Sequence, residues 1–203
     1  MRFADCRCWR VDESVLTFGV SGLLYNSDVL MYDHQTESLW SQLGMKGVTG
    51  AYRDHPLRWI ASMQMSWAEW SAKYPDSRVL SADTGYDRDY ATEPYAAYGM
   101  DDQTRFPFAE SRTELPRKAL VIGVIVDGEP KAYPLAVLRS TDGSIHDKSL
   151  TSPIAIHFTP ETDFVQVRVR GSDMPLPTVR AYWFAWQAFY PETLLYSNEE
   201  SEG

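Results

Sequence analysis

Cysteine is almost absent from this chain of 203 residues, and the two that occur, Cys6 and Cys8, stand one residue apart. Neighbours that close in an extended strand cannot easily bridge each other. Two sulfurs with no nearby histidine also fall short of the four ligands zinc takes. They read as ordinary thiols near the N-terminus, so neither a disulfide scaffold nor a zinc site is expected. Basic residues are outnumbered: 19 Lys and Arg stand against 28 Asp and Glu, a formal net charge of −9. No basic stripe is present to neutralise phosphates, which argues against nucleic acid and against an anionic membrane surface as partners. Long apolar runs are missing as well. The longest, Ala119 to Val126, is far below the ~20 residues of a membrane-spanning helix. Met1 to Ser14 has no apolar stretch of the kind a secretion signal carries, so the expected location is the cytoplasm. Histidine is limited to His34, His55, His146 and His157, and no two of them have helical zinc spacing.

Aromatic residues, by contrast, are plentiful. They make up 13% of the chain and include seven tryptophans, with 44% hydrophobic residues in all. That is enough to bury a real core in a single domain. Two aromatic segments resemble each other. Trp67-Ala-Glu-Trp70-Ser-Ala72-Lys-Tyr74-Pro75 returns as Trp183-Phe-Ala-Trp186-Gln-Ala188-Phe-Tyr190-Pro191, displaced by 116 positions. A displacement that long is not a solenoid period of about 20–50 residues. It predicts two copies of one supersecondary unit.

Each segment predicts a short helix. Ser66-x-x-Glu69 is a capping box, Trp67, Trp70 and Tyr74 share one face, and the proline stops the helix. The second helix spans Ala181–Tyr190. Both aromatic faces are expected to pack as core on their own sheets. Around them, turn residues separate strand-like runs. Val15–Leu43 reads as a β-meander, Leu57–Met65 and Arg78–Ser81 as strands. Ala119–Val126 and Glu129–Leu138 form a hairpin about Asp127-Gly128. Pro153–Phe158 and Asp163–Val169 form another, and Tyr196 closes a last strand. The expected fold is therefore α+β, mainly antiparallel β-sheet with two short helices. Two pseudo-repeated halves, about 15–81 and about 118–197, flank an acidic loop at 82–114, and an acidic tail at 198–203 reads as disordered.

Leu16-Thr-Phe-Gly-Val-Ser-Gly-Leu-Leu-Tyr-Asn-Ser-Asp-Val-Leu-Met-Tyr-Asp33, Ser38-Leu-Trp-Ser-Gln42 and Asp83-Thr-Gly-Tyr-Asp-Arg-Asp-Tyr90 resemble a prokaryotic family of domains of unknown function. The resemblance spans about Val15 to Tyr196 and implies a fold without a general activity. It implies that members open with a hairpin resembling Val121–Pro134, then a strand ending in Cys-Pro-x-Cys. Nothing before Val15 matches that opening, and Cys6-x-Cys8 has the wrong spacing. On this resemblance the chain is an N-terminally shortened member, and a thiol role is not expected. A shortened sheet leaves an edge exposed, which favours a homodimer.

The sharpest chemical constellation is the acidic loop. Asp83, Asp87 and Asp89 fall within seven residues. Close carboxylates repel by roughly 1 kcal/mol in water, and a bound cation relieves that. All-oxygen ligands on a loop suit Ca²⁺, although the spacing is no EF-hand and Arg88 lies within the run. Solvated acids or Asp–Arg pairing are the plain alternative. Asp33 and His34 are the candidate water-activating pair, against a solvated turn histidine. Tyr25, Asn26, Trp40 and Tyr86 are the candidate pocket residues, between the meander and the acidic loop. Gly19-Val-Ser21-Gly22 lacks the glycine two residues after serine that a nucleophile elbow needs, so Ser21 reads as a turn residue.

Of three functions the first is favoured, because a metal-like acidic cluster coincides with the polar residues that the second copy lacks, and two alternatives stay open. The first is a hydrolase of a small ester or lactone, such as an acyl lactone, assisted by an oxygen-liganded divalent cation and using no organic cofactor. The second is a non-catalytic binding module for a sugar or peptide. The third is a structural or assembly domain whose sheet edge pairs with another chain.

Overall fold

The structure is a computed structural model and describes residues 10–11, 14–62, 64–92, 95–109 and 112–197. Cys6, Cys8 and the acidic tail lie outside the described residues. The fold is α+β and mostly antiparallel β.

Strands β1 (Arg10–Val11) and β2 (Ser14–Val15) pair with each other. The predicted meander follows as β3 (Phe18–Tyr25), β4 (Asp28–Asp33), β5 (Leu39–Ser41) and β6 (Lys46–Gly47), in the order β3-β4-β5-β6. Asn26 and Ser27 turn β3 into β4 with φ of 48° and 64°. Two successive left-handed residues match the twist of a tight hairpin. The register of β3 against β4 shifts between Val20 and Leu24, and Gly22, at φ 74°, supplies the backbone freedom for that bulge. This sheet has a small core of Val11, Leu16 and Trp40, with Phe18, Met31, Tyr52 and Leu57 against it.

Helix α1 (Trp67–Lys73) forms with its predicted capping box, Ser66 Oγ accepting from the Glu69 N–H. The strands expected on either side of it do not form. The described residues of 57–65 and 78–81 are irregular. An apolar run becomes a strand only when a neighbour completes its backbone hydrogen bonds, and no strand among the described residues pairs with either run. A short helix α2 (Ala96–Met100) interrupts the acidic loop.

The second half is larger. β7 (Leu120–Val126) and β8 (Glu129–Pro134) form the hairpin predicted at Asp127-Gly128. Residues 135–138, expected to extend the second strand, instead make α3 (Leu135–Leu138). Then come β9 (Ser144–Asp147), β10 (Ile154–Thr159), β11 (Phe164–Val169), β12 (Val179–Tyr182), α4 (Trp183–Phe189) and β13 (Leu194–Leu195). They complete two sheets, β12-β7-β8-β13 and β11-β10-β9, with β13 parallel to β8. The central hairpin is covered on both faces. Ile122, Val124, Val126 and Tyr133 pack with Ile145, Ile154, Ile156, Phe158 and Val167 of the neighbouring sheet. Val121 and Ala132 pack with Trp183 and Trp186 of α4. Burial on both faces is why β7 reads as a continuous apolar run.

The aromatic segments keep the same local structure. Trp70 Nε1 donates to Ser77 Oγ at 2.7 Å, and Trp186 Nε1 to Thr193 Oγ1 at 2.9 Å. The Trp70–Tyr74 and Trp186–Tyr190 ring pairs lie at 4.6 and 4.4 Å. Their surroundings differ. The expectation that both helices pack as core holds for α4 and fails for α1, in which no residue is buried. The second half has the β7–β8 hairpin to receive its helix, and the first half has no such hairpin among the described residues.

Candidate functional site

The acidic loop does not form the expected cation cage. Asp83, Asp87 and Asp89 are exposed, and no group of three or more His, Cys, Asp or Glu among the described residues is placed to hold a metal ion. Asp89 is occupied locally. Its carboxylate accepts from the Ala91 N–H at 2.9 Å, the Thr92 N–H at 3.2 Å and the Thr92 hydroxyl at 2.5 Å. The Thr92 hydroxyl, then these backbone donors, hold its pKa below the ordinary value. Tyr86 is exposed on the same loop. Turn hydrogen bonds and solvation relieve the crowding that a cation was expected to relieve.

Asp33 is fully buried, and its acceptor capacity is committed. It accepts from the Thr36 N–H at 2.5 Å, the Thr36 hydroxyl at 2.9 Å and the Trp40 indole N–H at 2.9 Å. Burial alone pushes its pKa up. The Trp40 and Thr36 donors outweigh that and hold it below the ordinary range. A saturated, ionised carboxylate is a fastener of the β4–β5 turn rather than a base for water. His34, next in the chain, points the other way. It is exposed and set edge-on to the Tyr32 ring at 4.9 Å. Alternation along the strand separates the expected pair. Trp40 is fully buried under the sheet, so it lines no pocket. Ser21 Oγ donates to the Leu30 carbonyl at 2.7 Å and accepts from the Leu23 N–H at 3.1 Å, which ties it into the bulge.

Tyr25 and Asn26 do meet at a hollow. Its walls are Leu24, Tyr25, Asn26, Phe106, Pro107 and Phe108, and it encloses about 310 Å³, the lower end of ligand-site volumes. The sequence reading set Tyr25 and Asn26 opposite the Asp83 loop. The structure sets them against residues 106–109, later in the same 82–114 stretch, and against the end of α4. Asn26 Nδ2 donates to the Ala188 carbonyl at 3.3 Å, and its Oδ1 accepts from the Ala109 N–H at 3.1 Å. Ser27 Oγ donates to the Phe106 carbonyl at 3.1 Å, and Tyr25 meets Phe189 edge-on at 5.3 Å. Behind this turn, Asp28 accepts from the Leu43 N–H at 3.3 Å, and Tyr190 donates to the Leu43 carbonyl at 2.6 Å. Burial pushes the Asp28 carboxyl up and the Tyr190 phenol up to about 12. Both groups are therefore set in a partly dry seam that anchors the hollow's rim.

Strand β3 leads into this hollow along an open edge. Its only strand neighbour among the described residues is β4. Val20 is 74% exposed, and Leu23, Leu24 and Tyr25 are exposed too. The strand Phe-Gly-Val-Ser-Gly-Leu-Leu-Tyr carries no charge and no proline, two of the devices against edge pairing, while the bulge between Val20 and Leu24 is a third that it does carry.

A further cluster escaped the sequence reading. Lys131 Nζ lies 2.9 Å from Asp147 Oδ2 and donates to Ser149 Oγ at 2.6 Å. Tyr133 donates to the same Asp147 oxygen at 2.5 Å, and Ser149 donates to Oδ1 through both its N–H and its hydroxyl. The Tyr133 and Tyr196 rings flank the ammonium at 5.7 and 5.4 Å. Burial raises the Asp147 pKa, but these donors together lower it to about 2. Period-two alternation places Lys131 and Tyr133 on one face of β8. The pairing of β9 with β10, which brings Asp147 there, has no local signature.

The architecture is that of a mostly antiparallel α+β protein with an open apolar sheet edge and an aromatic hollow at its end. The chain belongs to the DUF3179 family, proteins of unknown function, whose model matches residues 6–174. That match begins earlier and ends sooner than the resemblance read from the sequence, and α4 lies beyond it. No curated protein and no solved structure matches the chain. No helix among the described residues is long and apolar enough to cross a membrane.

Proposed function

We propose that the protein is a non-catalytic peptide-binding module that takes an extended segment as an added strand on β3. The single observation that carries this reading is the open β3 edge, with apolar side chains exposed along it, ending at the aromatic hollow. Strand addition draws affinity from main-chain hydrogen bonds and specificity from pockets for alternate side chains. The hollow accepts one apolar side chain of the bound segment. A net charge of −9 favours basic flanks on that segment. The hydrolase reading draws less support, because its base and cation ligands are not gathered at the hollow.

The test is a capped peptide of alternating valine, leucine and lysine, titrated while amide exchange of Val20–Tyr25 is followed. Protection confined to β3 and the hollow, lost in Leu24→Lys, is the expected result. No protection up to millimolar peptide overturns the reading. Self-association protecting β3 without peptide assigns the edge to a second copy instead. Turnover of a short ester or acyl lactone, with or without calcium, would return the protein to the hydrolases.

A further inference from the structure

A small cavity lies where β7 and β12 meet β11. Arg180 of β12 stands opposite Ile122 of β7 in the strand register, so their side chains are neighbours on one face of that sheet. Val165 of β11 packs against the core that holds Ile122, and these two residues give the cavity an apolar floor. Arg180, Thr178 and Asp163 form a polar wall, and the exposed Ser62 and Gln64 form the lip. The space is about 50 Å³, room for roughly three to five waters. Arg180 is half-buried, and its charge is unmatched. A guanidinium carries five N–H donors and keeps its proton. Among the described residues Arg180 spends one of them, on the Asp163 carbonyl at 2.5 Å, and it forms no ion pair. The Asp163 carboxylate is taken by Arg139, which donates to it through Nε at 2.9 Å and Nη2 at 2.5 Å. Arg139 first, then Arg180, hold that carboxyl below its ordinary range against the effect of burial. Two guanidiniums thus share one carboxylate, and one positive charge is left over. The side chains of Ser62, Gln64 and Thr178 make no hydrogen bond within the described residues, so an amide and two hydroxyls stand uncommitted around that charge. Glu69, the acid of α1 that lies against Thr162, is bonded by the Ser66 N–H and hydroxyl at 3.1 and 2.9 Å and lines no part of the cavity.

We infer that this cavity is a binding site for a short aliphatic monocarboxylate of the size of acetate or propionate. The carboxylate sits on the Arg180 guanidinium, whose planar fork matches two oxygens at once. A half-buried charge whose nearest acid serves another cation gains most from such a partner. The Gln64 amide and the Ser62 and Thr178 hydroxyls supply further donors. The alkyl end lies over Ile122 and Val165. Phosphate fits less well, because a tetrahedron of four oxygens sets at least one against this apolar floor without a donor. A long acyl chain does not fit, since the cavity holds about 50 Å³ against about 310 Å³ for the hollow beside β3. The net charge of −9 repels anions at long range, so the affinity is in the millimolar range. This site stands apart from strand addition at β3, since it shares no residue with that edge or the hollow.

The experiment titrates sodium propionate into the full chain in low-salt HEPES and follows the Arg180 Nε–H and the Ile122 and Val165 methyl signals by NMR. The expected result is a saturable shift of all three with one millimolar Kd. Propionate is expected to bind at least about fourfold more tightly than formate, because its two further carbons leave water. Arg180→Gln, read by the two methyl signals, is expected to weaken binding at least about tenfold. Gln64→Ala changes an exposed residue on which the fold does not rest, and is expected to weaken binding about threefold. No saturable shift up to tens of millimolar propionate overturns the inference, and so does parent-like binding by either variant. Formate or inorganic phosphate binding as tightly as propionate overturns it as well, by making the cavity a general anion site. Shifts confined to Val20–Tyr25 and the hollow overturn it while leaving the strand-addition reading intact.

Discussion

Lys131 Nζ stands 2.9 Å from the Asp147 carboxylate, and the two side chains are 1% and 2% exposed. Two charges taken out of water are tolerated here because each is further bonded, to Tyr133 and Ser149. The cluster ties β8 to the end of β9 across the gap between the two sheets of the second half. Removing either partner strands a buried charge. Asp147→Ala or Lys131→Ala is expected to cost about 3–5 kcal/mol, read as a lower urea midpoint. Lys131→Met with Asp147→Leu together is expected to cost much less than the two single losses combined.

The same carboxylate sets an acid limit. Asp147 is lowered from 3.8 to about 2 in the folded protein, and Asp33 is lowered as well. A depressed carboxylate contributes stability that is full above its unfolded pKa and lost as pH falls through the folded one. Stability is therefore expected to be flat from pH 7 to about 5 as far as Asp147 is concerned. It then falls between about pH 4 and 2, by of the order of 2 kcal/mol from this group. Urea unfolding at stepped pH measures it, and the drop should shrink in the Lys131→Met, Asp147→Leu protein.

The two aromatic helices should respond unequally to the same change. Trp186→Ala removes a fully buried indole and is expected to cost about 3–5 kcal/mol. Trp70→Ala acts on a helix with no buried residue and is expected to cost less than about 1 kcal/mol. Gly123→Val places methyls against the Trp186 ring, and overpacking of this kind costs about 1–3 kcal/mol or more. Thermal melts of the three variants settle the order.

Asp33→Ala is expected to weaken the first sheet by about 1–3 kcal/mol, because the Trp40 indole N–H loses its buried acceptor. His34→Ala, at an exposed position, is expected to stay within about 0.5 kcal/mol of the parent. Equal losses in the two variants would contradict the separation of this pair described above. Chemical denaturation followed by tryptophan emission reads both.

Much of the fold was legible because it is local. The β3–β4 turn follows from Asn26-Ser27, the β7–β8 turn from Asp127-Gly128, and α1 from Ser66, Glu69 and Pro75. Each depends on bonds made within a few residues. The site was less legible. Tyr25 and Asn26 line a hollow whose other wall, Phe106–Phe108, stands some eighty residues away in the chain. Asp33 and His34 looked like a pair in sequence, and strand alternation turned them to opposite sides.

By itself, then, the sequence determined turns, caps and the likeness of two helix-and-proline segments, since backbone geometry and nearest neighbours suffice for these. Only the tertiary structure decided which of those segments is core. Trp186 and Trp70 have the same local surroundings, and burial is conferred by a hairpin more than fifty residues earlier in the chain. Apolar surface leaves water only where another surface meets it, and what the described residues place beside α1 leaves none of its residues buried.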